Sequence, residues 1–149
     1  MSDDYAALDT NVLVYALFAD TEHHRAARAL LDQAEHDDIN FCLTPQVLAE
    51  FYAVVTNSRR VTEVKSPGEA LDVIDTLLSL PGMTLLPVPI DIVTQWTRLL
   101  RQHPVTGSDV FDVLLAATLR SHGVTRLYTF NRADFERFDG LDVLTPAVP

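Results

Sequence analysis

The sequence predicts an α/β fold: a central, mainly parallel sheet of four to five strands with helices packed on both faces. Three observations carry that expectation. Short apolar runs alternate with helical periodicities along the whole chain. Helix-start residues stand directly behind the first two strand candidates, Asp9 after residues 5–8 and Thr44-Pro45 after residues 39–43. The 149 residues also match one domain, with no repeat, linker or low-complexity tract to divide residues 1–149.

Residues 5–8 form an apolar run that ends at Asp9, and residues 12–18 continue as a helix, which puts Asp9 at the carboxyl end of the first strand. Residues 22–35 carry Ala26, Ala27, Leu30, Leu31 and Ala34 at helical spacing, and residues 39–43 read as the second strand. The Thr44 hydroxyl is placed to cap a helix over residues 46–55, with Pro45 in its first turn and Glu50 near its middle. Residues 57–65 are polar, hold the pair Arg59-Arg60 and read as a mobile loop.

Ser66-Pro67-Gly68-Glu69 has the pattern of a capping box, and Leu71, Ile74, Leu77 and Leu78 supply the apolar face of the helix it opens. Pro81-Gly82 stops that helix. Residues 84–88 read as the third strand and residues 90–102 as a helix with Ile92, Val93, Trp96, Leu99 and Leu100 inward. After a turn over residues 103–108, residues 109–122 form a strongly apolar helix closed by Gly123. Residues 126–130 are the fourth strand, residues 131–138 a turn with one helical turn, and residues 142–144 a short last strand. Right-handed crossovers then place a ligand site beyond the carboxyl ends of the strands, where Asp9 and residues 129–134 both fall.

Hydrophobic residues make up 48% and charged residues 21%, which excludes a disordered or coiled-coil chain. No apolar run approaches the roughly 18–20 residues that span a bilayer, and the acidic start MSDDYAAL is unlike a signal peptide, so a cytoplasmic protein without membrane contact is expected. Cys42, the one cysteine, lies in an apolar stretch and reads as a buried, reduced thiol. The net charge of −10 argues against broad polyanion binding; action on nucleic acid then needs divalent cations, helped locally by Arg59-Arg60, and the same charge suits a basic protein partner.

Four acids stand in apolar surroundings: Asp9, Glu50, Asp112 and Asp134. Lone carboxylates are costly to bury, and the only lysine is Lys65, with few arginines near the four in sequence. A bound Mg2+ or Mn2+ is the natural counter-charge, because hard cations prefer carboxylate oxygen. Each acid also has a purely structural alternative. Asp9 and Asp134 could cap helical turns, Glu50 could be solvated, and Asp112 could pair with Arg120 or Arg126. Asp109, one turn before Asp112, reads as a helix N-terminal charge that could also line the site.

The joint pattern resembles the PIN-domain nucleases, and among them the VapC-like toxins of toxin–antitoxin pairs, over nearly the whole chain. Leu8-Asp9-Thr10-Asn11-Val12-Leu13-Val14-Tyr15-Ala16 is similar to the family's opening motif, and residues 44–52, with Glu50, to its second. Asp112 with Leu114-Leu115-Ala116-Ala117-Thr118 resembles the third block, and residues 127–135 resemble the closing turn, whose site residue aligns with either Asn131 or Asp134. Phe111 and Val113 depart from the histidine and alanine that relatives often carry.

The resemblance implies a three-layer α/β/α sandwich and a toxin endoribonuclease that hydrolyses RNA with Mg2+ or Mn2+. Asp9, Glu50, Asp112 and Asp134 would be catalytic: Asp9 and Asp112 would bind the ion, with Glu50, Asp134, Asn131 and Asp109 as secondary candidates, Glu50 completing the site through a water or orienting the attacking one, and Thr10, Asn11 and Thr129 would hydrogen-bond ligands or the scissile phosphate. It also implies a cognate VapB-like antitoxin and a homodimer. The alternative is a catalytically inactive PIN fold that binds RNA or protein. A receiver domain lacks its lysine behind the last strands, a strand-end Asp-x-Asp phosphatase is excluded by Asn11, and no glycine-rich nucleotide loop occurs. Because crowded carboxylates repel, metal-free Asp9→Asn and Asp112→Asn are both expected to melt no lower than the wild type.

Overall fold

Alternation of short apolar runs with helical periodicities produces, among the described residues, five three-residue strands in one sheet, β1 (Ala6–Leu8), β2 (Phe41–Leu43), β3 (Met83–Leu85), β4 (Arg126–Tyr128) and β5 (Asp142–Leu144). The computed structural model describes residues 5–36 and 40–149, so the expected strand start at Ile39 lies outside the described residues. All four pairings are parallel and the strand order is β3-β2-β1-β4-β5. β1 and β2 are buried at every position and β4 at its central Leu127, as a sheet covered on both faces requires.

Among the described residues six helices cover it: α1 (Thr10–Leu17), α2 (His24–Asp32), α3 (Pro45–Val55), α4 (Pro67–Ser79), α5 (Ile92–Gln102) and α6 (Val110–Ser121). They pack in two sets, α1 with α2 and α3 and α4 against α3 in one, α5 with α6 in the other. Right-handed crossovers put these sets on opposite faces, because the chain steps from β1 through β2 to β3 in one direction and returns past them to β4. The fold is the expected three-layer α/β/α sandwich.

Local signals are realised where the chemistry is specific. Thr44 Oγ1 accepts from the Val47 amide at 3.2 Å, and Ser66 with Glu69 forms the complete reciprocal capping box. Gly123 ends α6 at a φ of 70°, a left-handed position that disfavours a side chain. Cys42 is free and buried, and burial pushes its thiol up to about 12, so it stays protonated.

Three expectations are corrected. The third strand is Met83–Leu85, not residues 84–88, because Pro87 and Pro89 take the chain out of the ladder. Leu71 on α4 is 52% exposed, its inward positions being Ala70, Val73, Ile74 and Leu77, and Val93 on α5 is 65% exposed while Leu99 holds the core contact. Helical spacing identifies an apolar stripe but leaves its edge residues ambiguous by one position. No helix among the described residues is long and apolar enough to cross a membrane.

Candidate active site

The strand order reverses between β1 and β4, and at such a switch point the loops leaving neighbouring strands part to open a crevice. Asp9 follows β1 and Thr129 follows β4; the Asp9 amide donates to the Tyr128 carbonyl at 3.0 Å, which fixes the two chain exits side by side. The amino ends of α1, α3 and α6 reach the same rim, so the positive ends of three helix dipoles face it.

Asp9 is only 9% exposed and its carboxylate is held on both oxygens. Oδ1 accepts from the Thr10 amide at 2.8 Å; Oδ2 accepts from the Thr129 hydroxyl at 2.7 Å and from Asn11 Nδ2 at 3.4 Å. Asn11 is itself fixed, donating to Thr129 Oγ1 at 3.2 Å and accepting from the Phe130 amide at 3.2 Å, while the Asn131 amide donates to Thr129 Oγ1 at 3.0 Å. Thr129 has no exposed surface, so its hydroxyl serves Asp9 and not solvent. Burial pushes the Asp9 carboxyl above its ordinary value, against the lowering effect of the Thr129 and Thr10 bonds, with Glu50 and Asp134 adding to the rise.

Glu50 projects from the middle of α3. Its Oε2 accepts from Thr10 Oγ1 at 3.2 Å and its Oε1 from Gln46 Nε2 at 2.9 Å. Asp112 lies in the first turn of α6, half-buried, and its carboxylate receives no hydrogen bond among the described residues. Burial, reinforced by Asp134, Asp9, Asp109 and Glu50 in that order, pushes it up to about 7. The ion pairs among the described residues, of which Arg28–Asp32 and Arg132–Glu136 lie on exposed helical turns, include none of Asp9, Glu50 or Asp112. The Asp112 partner considered above is therefore not Arg120, whose guanidinium donates to the Asp139 carbonyl at 3.0 Å.

Asp9, Glu50 and Asp112 line one cleft of about 570 Å3 together with Thr10, Asn11 and Asn131. Of the two residues offered for the closing position, Asn131 lines the cleft; Asp134 sits exposed on the following turn and acts on Asp9 and Asp112 through its charge. Asp109 is exposed and likewise raises Asp112 through its charge. Arg60 of the basic pair lines the cleft, as does the half-exposed Phe111. Sequence reasoning passed over Gln46, although its place one turn before Glu50 on the same helix face was a readable signal.

The donor set suits a hard divalent cation: every donor is a carboxylate, amide or hydroxyl oxygen, and the excess negative charge has no paired cation. Among the described residues, no three His, Cys, Asp or Glu side chains stand close enough together to hold an ion by themselves. An ion here would bind through one or two carboxylates and keep water in its shell, the habit of Mg2+.

Known proteins resemble this chain at the level of family and fold. The PIN domain family model matches residues 6–141. Ribonuclease VapC43 of Mycobacterium tuberculosis is 37% identical over 120 residues, covering 80% of this chain and 82% of that protein. Ribonuclease VapC24 of the same organism is 34% identical over 136 residues, covering 89% and 90%. The crystal structure of VapBC2 from Rickettsia felis bound to a DNA fragment from its promoter shares the fold at a TM-score of 0.66 and 21% identity, over 95% of this chain and 98% of that one.

Proposed function

The chain belongs to the PIN-domain family, and on that premise we propose that it is a VapC-type toxin, an endoribonuclease that hydrolyses phosphodiester bonds in RNA with Mg2+ or Mn2+ and is neutralised by a cognate VapB-like antitoxin. Residues 1–149 act as one such domain, in the cytoplasm. The observation that carries the reading is the meeting of Asp9, Glu50 and Asp112 in one cleft at the switch point of the sheet, without a cation paired to any of them among the described residues.

In this reading Asp9 and Asp112 hold the ion directly, with Asn131 at the cleft wall and Asp134 and Asp109 contributing field from outside it. When bound, the ion lowers the pKa of a coordinated water and offsets charge building on the phosphate oxygens. Glu50 has both oxygens anchored, by Thr10 and Gln46, yet each keeps a free lone pair with which to orient a water molecule. Thr10, Asn11 and Thr129 fix the carboxylates before substrate arrives, so little reorganisation remains at the moment of reaction. Arg60, at the cleft, is the group suited to a backbone phosphate.

The partners follow from surface chemistry. A net charge of −10 favours a basic antitoxin segment. A second copy of the chain is the proposed occupant of the apolar surface at the β3 edge of the sheet, where Leu85, Val88, Ile90 and Val93 are exposed. A PIN fold that binds RNA or protein without cutting is the second reading, favoured by the observation that no three His, Cys, Asp or Glu side chains among the described residues converge closely enough to hold an ion by themselves.

Incubation of the purified chain with single-stranded RNA, with and without Mg2+ or Mn2+, tests the proposal. Cleavage should require the ion, disappear in Asp9→Asn and Asp112→Asn, and be suppressed by the antitoxin. Intact cleavage in either variant would contradict the assignment of these residues, and ion binding without any cleavage would favour the second reading.

A further inference from the structure

We infer that Gln46 is a positioning residue that sets the spacing between Glu50 and Asp112, and so the shape of the ion site; the inference rests on the nuclease reading above. Glu50 and Asp112 belong to helices on opposite faces of the sheet, and α3 and α6 do not pack along their lengths. No extensive helix–helix contact fixes their separation at the rim, so a side-chain link there can adjust what the sheet sets. Gln46 makes one: its Nε2 donates to Glu50 Oε1 at 2.9 Å and to the carbonyl of Phe111, the residue before Asp112, at 2.8 Å. One amide thus ties a carboxylate on α3 to the first turn of α6.

The amide's orientation is fixed by its surroundings. Turned over, its oxygen would meet the Glu50 carboxylate and the Phe111 carbonyl, and acceptor against acceptor repels. The orientation is kept although it leaves Gln46 Oε1 as a buried oxygen without a hydrogen-bond partner among the described residues. Thr10 holds the other oxygen of Glu50 at 3.2 Å, and with Gln46 opposite it the carboxylate is gripped from both sides. Removing Gln46 Nε2 both frees one side of that grip and unties α6.

Gln46→Met keeps the length of the side chain and removes both bonds. Relative to wild type it should weaken Mn2+ binding by roughly 10–100-fold in calorimetry and lower kcat on a single-stranded RNA by a similar factor, as loss of a group that orients metal ligands does. KM for RNA should change less than twofold, and the melting temperature should not fall. Gln46→Glu, which places a further carboxylate against Glu50, should behave at least as poorly, whereas Gln46→Asn should recover part of the loss. Unchanged ion affinity and kcat in Gln46→Met would overturn the inference, as would losses explained by a lower melting temperature. Metal-free crystal structures supply a readout independent of nuclease activity: the Glu50–Asp112 separation should differ between wild type and Gln46→Met, and an identical separation would overturn the inference even in a protein that cuts no RNA. A wild-type protein that neither binds Mn2+ nor cuts RNA would instead remove the nuclease reading.

Discussion

The two walls of the cleft are built on different physical terms. On the β1–β4 side, Asp9 is buried and both its oxygens are occupied by Thr10, Asn11 and Thr129, and Asn11 and Thr129 are in turn bonded to each other and to the backbone of residues 130 and 131. On the α6 side, Asp112 is half-buried, receives no hydrogen bond among the described residues, and is pushed up to about 7 by burial and four neighbouring carboxylates. One wall is satisfied without an ion and the other is not. A carboxylate bonded on both oxygens, with a lone pair left on Oδ1, supplies geometry, while one that receives no hydrogen bond among the described residues supplies the electrostatic appetite for a cation.

The contrast predicts a graded set of effects. The largest is on activity: Asp9→Asn and Asp112→Asn should each abolish RNA cleavage, measured as single-turnover rate, by more than the roughly 10–100-fold expected of a residue that merely orients a ligand. Equal and total loss at both walls leaves the contrast as one of construction, not of importance.

Next comes Thr129→Val. It removes the donor to Asp9 and the acceptor for Asn11 and Asn131, and should cost about 1–3 kcal/mol of stability in chemical denaturation. Thermal unfolding should fall by several degrees. A neutral Thr129→Val would break the claim that this wall is pre-organised.

Metal-free melting then separates the two aspartates, and here the geometry corrects the expectation that both asparagine variants melt no lower than wild type. In Asp9→Asn the new side chain would have a single acceptor oxygen for donors on both sides, so its amide group faces either the Thr10 amide or the Thr129 hydroxyl, and this variant should melt lower. Asp112→Asn loses no hydrogen bond and removes like-charge repulsion, so it should melt higher. Differential scanning calorimetry at pH 8 in chelator checks both signs.

A further effect is the pH dependence of that stability. Asp112 titrates at about 7 in the folded protein and near the ordinary carboxylate value of about 3.9 when unfolded. Between those values the native state holds a proton that the unfolded state has released, so stability should fall as pH rises from about 4 to about 7 and then level off. Asp9 is shifted in the same direction. Melting curves of Asp112→Asn should show a shallower slope across that window, and saturating Mg2+ should flatten the wild-type curve.

Much of this was legible in the sequence wherever a residue type has one local use. Asp9 behind an apolar run, Thr44-Pro45, the Ser66 capping box and Gly123 all set local backbone that the tertiary structure keeps. The acids were legible for a different reason: each breaks an apolar surrounding, and burying carboxylates without cations calls for an explanation. What stayed hidden depends on partners distant in the chain. Gln46 meets Phe111 across 65 positions, and nothing local marks that contact. Thr129 could be read as near the site but not as fully buried behind Asp9. Leu71 and Val93 sit at the edges of apolar stripes, where periodicity alone does not decide inside from outside.

Calorimetric titration of Mn2+ into the wild type and Asp112→Asn, at pH 6 and pH 8 in buffers of different ionisation heat, tests the central claim most directly. The wild type should bind more tightly at pH 8, release about one proton per ion at pH 6 and almost none at pH 8, and Asp112→Asn should lose both the affinity and the proton release. Binding that ignores pH, or that survives Asp112→Asn unchanged, would contradict a cation site built on the unsatisfied wall.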